Sequence, residues 1–272
     1  DYIRLVNLDI TGDHSDYLVH LDQGCSLHGV YIEQAGNGGC LFVDQATTIT
    51  QCHFKDTRVG GSRVTVGATS TNPSKMSNCV IEYAGNSYAS EYFDYTNNLI
   101  ICNASNAYGI KLSYKGHAQG NIIINKNTGS TNNRYGIDVT YSNGMQLITG
   151  NYIEGFNGTF AAAMKVQGPF PDNVTMFDNY YFNCTRGLSD GSNPWPYDLT
   201  TTMQDFILLG SSPIDDAGGD YSIDNDTMRD LEVGTAGNGF MKWFPFRNKV
   251  DEGFSPSGGG GTDASARFVR LK

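Results

Sequence analysis

Charged residues recur in this chain at spacings that suit acid–base chemistry. Glu91, Lys111, Asp138 and Lys165 fall at equivalent places in successive strand-like segments. If those segments stack in parallel, they form one outward column, with Glu91 and Asp138 two rungs apart. Two strand spacings are about 9–10 Å. A pair of carboxyl groups roughly 6.5–9.5 Å apart can cleave a glycosidic bond with inversion, one protonating the leaving oxygen while the other activates water. Side-chain reach brings the pair into that range. Lys111, between them, would hold the base ionised or neutralise a uronate in an elimination. Tyr114 and Tyr141 offer flat faces for sugar rings, and Arg134 and Lys165 complete a substrate-binding set. A second column, Glu33, Lys55 and Glu82 with Tyr31 and His53 beside it, has the same arithmetic. The first is preferred because more tyrosines and Arg134 surround it. Both columns alternate in sign, which is also how a parallel stack avoids like-charge neighbours, so the structural reading stands beside the chemical one.

Other chemistries find less support. His14, His20, His28, His53 and His117 form no zinc-like spacing. The acidic run 215–226 lacks the spacing and closing Glu of an EF-hand. No metal and no cofactor are expected. Six cysteines, at 25, 40, 52, 79, 102 and 184, allow disulfides, and Cys52 and Cys79 would sit in adjacent rungs. A ladder of free thiols serves that pair equally well. Sequons begin at Asn103, Asn157, Asn173, Asn183 and Asn225, as chance allows in so Asn-rich a chain.

The elements that must carry these columns follow from composition and repetition. Of 272 residues 33 are glycine, and only 17% are charged, which excludes coiled coils and helical bundles. The glycines keep no three-residue period, so collagen is excluded, and 39% hydrophobic content argues against disorder. The formal charge of −10, with no basic cluster, predicts no nucleic-acid partner. The longest apolar runs, 99–101 and 206–209, predict no membrane span. The chain opens at Asp1 without a leader, which fits removal of a preceding segment or excision from a longer chain.

One short word recurs: an apolar residue, two mostly small or polar positions, an anchor, a variable residue, then an apolar residue. It is found at 5–10, 27–32, 49–54, 76–81, 95–100, 118–123, 148–153 and 176–181, with anchors Leu8, Val30, Cys52, Cys79, Asn98, Asn121, Asn151 and Asn179. The repeat of roughly 24 residues lies in the solenoid range. Between anchors run second alternating segments, including YGIKLSY (108–114) and YGIDVTY (135–141). Together these predict an all-β, single-stranded right-handed parallel β-helix of about eight coils over residues 1–190. The anchor column should read as a cysteine step running into a hydrogen-bonded asparagine ladder. Residues 191–272 lose the repeat and are expected to form an irregular cap or oligomerisation region with a Gly-rich segment.

On these repeats the chain resembles the pectate-lyase-like right-handed β-helix superfamily, which includes phage tailspikes, polysaccharide lyases, polygalacturonases and alginate epimerases. The stretch 208–218 with Asp224, Asp226 and Arg229 is similar to the ending that follows the last coils of many such proteins. The resemblance implies a protein that binds and depolymerises a cell-surface or extracellular polysaccharide as a glycosidase or lyase. It implies an extracellular or virion location and a homotrimer. Its alternative is a non-catalytic structural or adhesive β-helix of a phage tail or surface fibre. The chain departs from the superfamily's catalytic words: Asp-Pro-His-Asp, Arg-x-Pro-x-x-Arg and Gly-His-Gly are all missing. Catalysis must therefore reside in the outward columns, with Glu91 and Asp138 as the expected catalytic pair.

Overall fold

Each repeat opens with a short strand whose central apolar residue points into the core, as do Leu5, Leu27, Ile49, Met76, Tyr95, Ala118, Ile148 and Met176. The chain then turns a corner on one left-handed residue: Asn7, Gly29, Gln51, Asn78, Asn97, Gly120, Gly150 or Asp178, with φ between 53° and 64°. Glycine enters that region freely, and Asn and Asp enter it more readily than other side chains. That is the physical content of the small or polar position in the repeated word. The anchor comes next, and a second strand runs away from the corner with its own inward residue (Ile10, Ile32, Phe54, Ile81, Ile100, Ile123, Ile153, Tyr181).

The computed structural model describes residues 3–13, 15, 17–22, 24–35, 39–43, 46–56, 74–83, 93–103, 107–113, 116–127, 135–141, 146–166 and 174–189, with short stretches at 206–208, 214–215 and 222–223. The protein is all-β, a parallel β-solenoid. The first sheet has eight strands, from Arg4–Val6 to Val174–Phe177, and the second has nine, from Asp9–Gly12 to Phe206–Leu208. That ninth strand comes from beyond residue 190 and pairs in parallel with Asn179–Phe182. The third side is less regular. It carries Val19–Leu21 with Leu41–Val43, then Tyr108–Ser113, Tyr135–Tyr141, Ala162–Val166 and the two-residue Leu188–Ser189. The expectation of about eight coils therefore needs correction. Eight rungs stack on the first side, but among the described residues strands of three residues or more close the third side in only five turns. The segments on that side vary most in length, so they keep register least well. Among the described residues no helix is long and apolar enough to cross a membrane.

The anchor column carries a continuous hydrogen-bond ladder. The Asn98, Asn121 and Asn151 amides each donate to the next Oδ1 (Asn121, Asn151, Asn179) at 2.9–3.0 Å. The same oxygens accept the backbone N–H of the preceding anchor at 3.0–3.2 Å. Each Nδ2 also donates to a carbonyl of the first sheet: Met76, Tyr95, Ala118 and Ile148 in turn. All four asparagines are fully buried, so these bonds satisfy groups that would otherwise be desolvated without partners. The cysteine step uses the same geometry: Cys52 N donates to Cys79 Sγ at 3.4 Å, and Cys79 N to Asn98 Oδ1 at 2.9 Å. All six cysteines are free thiols, which settles the alternative between disulfide and thiol ladder at Cys52 and Cys79. The repeated Tyr-Gly-Ile is a packing requirement. A Cβ at Gly136 would lie 2.3 Å from the Ile153 side chain and 2.7 Å from the Ala163 carbonyl.

Candidate functional site

The third sheet does assemble the column expected from the Tyr-Gly-Ile alignment. Lys111 pairs with Asp138, Asp138 with Lys165, and Lys165 with Ser189. Glu91, Tyr114 and Arg134 lie outside the described residues. Tyr141 ends its strand opposite Ser113, just past a register shift. Asp138 is almost fully buried, at 3% exposure. Lys165 closes over it with Nζ 3.3 Å from Oδ1, and the same ammonium sits 5.1 Å from the Tyr135 ring centroid. Burial pushes the Asp138 carboxyl above its ordinary range, outweighing the downward pull of Lys165 and Lys111.

The second column lies on the outer face of the second sheet and spans three adjacent rungs. Glu33 pairs in register with Lys55, and Lys55 with Glu82. Lys55 Nζ is 3.2 Å from Glu33 Oε1, while the Tyr31 hydroxyl donates to Glu33 Oε2 at 2.7 Å. One rung further, His53 Nε2 meets Glu82 Oε1 in a very short contact. The His53 ring stands edge-on to Tyr31, with centroids 5.0 Å apart. Accessibility grades across the cluster. The Glu33 side chain is 29% exposed and Lys55 16%, against 8% for Glu82 and 2% for His53. The cluster thus offers an accessible carboxylate bound by two donors, and a nearly buried carboxyl–imidazole pair in hydrogen-bond contact. Carboxyl groups so placed have the residue types that acid–base chemistry at a glycosidic bond uses.

Two further groups escaped the reading of the sequence. Around the corner, the last outward position of the first sheet runs through Thr50, Ser77, Thr96, Gln119 and Thr149, five uncharged polar and partly exposed rungs, with Val6 and His28 before them and Phe177 after. Beside it Lys75, Asp94 and His117 occupy successive rungs; His117 N donates to Asp94 Oδ1 at 3.2 Å, and Leu147 N donates to His117 Nδ1 at 2.9 Å. Burial raises the Asp94 carboxyl, opposed by His117 and Lys75. The signal for the hydroxyl column lay in the repeated word itself, whose position before the left-handed residue is polar and outward in the middle rungs, though Val6 and Phe177 occupy it at the two ends. Tyr152 and Glu154 repeat the Tyr31–Glu33 bond farther along the second sheet, at 2.5 Å. Among the described residues no group of three or more His, Cys, Asp or Glu is placed to hold a metal ion.

No family model, no curated protein and no solved structure matches the chain. Its class is accordingly the one its fold defines: an all-β parallel β-solenoid with charged and hydroxylated columns on its outer faces.

Proposed function

We propose that this β-solenoid binds and depolymerises a cell-surface or extracellular polysaccharide, in the manner of tailspikes and other pectate-lyase-like β-helices, outside the cell or on a virion. The observation that carries this reading is the three-rung cluster, in which Glu33 and Glu82 flank Lys55 with Tyr31 and His53 attached. Glu33 and Glu82 replace Glu91 and Asp138 as the preferred catalytic pair, because Asp138 is shut beneath Lys165 while Glu33 faces solvent. Stacking fixes the carboxylate separation, so a solenoid needs no loop machinery to set it. The test is cleavage of a panel of bacterial capsular, plant and algal polysaccharides by the full chain, read as new reducing ends. Glu33→Gln and Glu82→Gln should each lower the rate by about 100-fold or more, with unfolding curves unchanged. Cleavage undiminished in both variants would refute the assignment.

A second reading, the non-catalytic structural or adhesive β-helix, is favoured by the Lys165–Asp138 pair. A closed, nearly buried ion pair is what a register device looks like. Glycan retention without any new reducing ends would establish it over the first. The homotrimer belongs to either reading; a monomer mass in light scattering would remove it.

A further inference from the structure

We infer that the polymer this site accepts is uncharged and that the reaction is hydrolysis with inversion, not elimination; this rests on the depolymerase reading above. Elimination from a uronate needs a cation to neutralise the sugar carboxylate before a base can take the adjacent C–H proton. The lysines of the two charged columns that are seen in ion pairs are held by the protein's own carboxylates. Lys55 lies 3.2 Å from Glu33, Lys165 lies 3.3 Å from Asp138, and Lys75 sits in register against Asp94. Within the cluster two carboxylates face one lysine, and the chain as a whole carries a formal charge of −10. A polyanion would be repelled on approach, and at the cluster it would meet a lysine already held by Glu33.

An uncharged sugar chain meets a different surface. One corner away from His53 run Thr50, Ser77, Thr96, Gln119 and Thr149, which offer uncharged donors and acceptors over five successive rungs. Rungs about 4.8 Å apart repeat these groups regularly along the stack, as a repeating polymer requires.

The separation of the carboxylates selects the chemistry. Glu33 and Glu82 are two rungs apart, about 9–10 Å along the stack, which leaves room for a water and exceeds the spacing of a direct carboxylate nucleophile. Glu82, in hydrogen-bond contact with His53, acts as the general acid and gives a proton to the glycosidic oxygen as its bond to the anomeric carbon breaks. Glu33 takes a proton from a water whose oxygen bonds to that carbon from the opposite face. A new reducing end and a new hydroxyl end result, and solvent returns both carboxyl groups to their starting protonation. No oxidant, reductant or further reactant is needed.

The experiment offers the full chain matched neutral and uronate polymers: a galactan and a glucomannan against polygalacturonate and alginate. Three readouts run together: reducing ends, near-ultraviolet absorbance of unsaturated ends, and proton NMR of the anomer first released. The expected result is reducing ends from a neutral polymer, no absorbance rise, and an inverted anomer. Glu33→Gln and Glu82→Gln should each slow this at least about 100-fold, while Thr96→Ala should raise KM with kcat held. Unsaturated ends from a uronate polymer would overturn the inference while leaving the depolymerase reading intact. A retained anomer would overturn the assignment of the pair. No cleavage of any of the four would overturn the depolymerase reading itself.

Discussion

Replacing Asn121 by alanine tests the ladder that holds the coils together. Its Oδ1 accepts from Asn98 N and Asn98 Nδ2, both at 3.0 Å. Its Nδ2 donates to Tyr95 O at 3.0 Å and to Asn151 Oδ1 at 2.9 Å. Truncation leaves two donors of Asn98 without an acceptor and removes one donor from the Tyr95 carbonyl. Asn151 Oδ1 still receives the backbone N–H of residue 121. Asn98 is fully buried, so each stranded donor costs about 1–3 kcal/mol, or about 2–6 kcal/mol for the two. With a urea m-value of about 3 kcal/mol/M, a loss of 3 kcal/mol moves the midpoint down by about 1 M. Urea denaturation followed by circular dichroism measures this directly. Gln119→Ala, two residues earlier and outward-facing, is the control and should stay within about 0.5 kcal/mol. Equal, small losses in both variants would refute the claim that the ladder sets coil register.

Three further outcomes follow from the fold. Gln51 holds a left-handed conformation at φ 53° that glycine adopts without strain, so Gln51→Gly should raise stability by about 0.5–1 kcal/mol. Gly150→Ala should do the reverse by about 1 kcal/mol, since a Cβ there meets nothing closer than 3.7 Å and only the backbone is penalised; calorimetry of both variants checks the signs. For Asp138 the folded carboxyl is raised above its unfolded value of about 3.9. Its contribution to stability is therefore fully present in acid and is lost as pH rises through the folded value. Asp138→Asn should gain stability relative to the parent between about pH 4 and 7, and a difference that stays flat across that range would refute the sign.

The repeat was legible because the corner imposes it. A left-handed residue followed by the anchor restricts two consecutive positions in each coil; all eight anchors fall at that corner, and all but the exposed Leu8 are buried. The register of Lys111, Asp138 and Lys165 was legible for a similar reason: Gly136 has no room for a side chain, so its neighbours align wherever the Tyr-Gly-Ile word recurs. Burial on the outer faces was not legible. Alternation assigns one face of a strand to the core, yet Leu99–Cys102 and Ile122–Asn125 are buried at every position, and an apolar run gives no sign of which face is covered. Asp138 misled in the same way. Its spacing marked it as outward, but only the fold of Lys165 and Tyr135 around it shows that outward is not exposed.

Sign alternation along a solenoid cannot separate chemistry from architecture, because both demand it. Stacking at about 4.8 Å penalises like charges in adjacent rungs, so a stable column places a cation between two carboxylates. That arrangement also sets the carboxylates two rungs apart, near the span an inverting mechanism needs. What separates the two columns is how each carboxylate is bound. At Asp138 the lysine folds inward and seals the group, and burial then favours its neutral form. At Glu33 the lysine and a tyrosine hydroxyl bind from the side, leaving the carboxylate partly open to solvent, while one rung past Lys55 Glu82 and His53 meet in a nearly dry setting. Under the proposed depolymerase function, the open carboxylate is the end that takes a proton and the enclosed carboxyl the end that gives one.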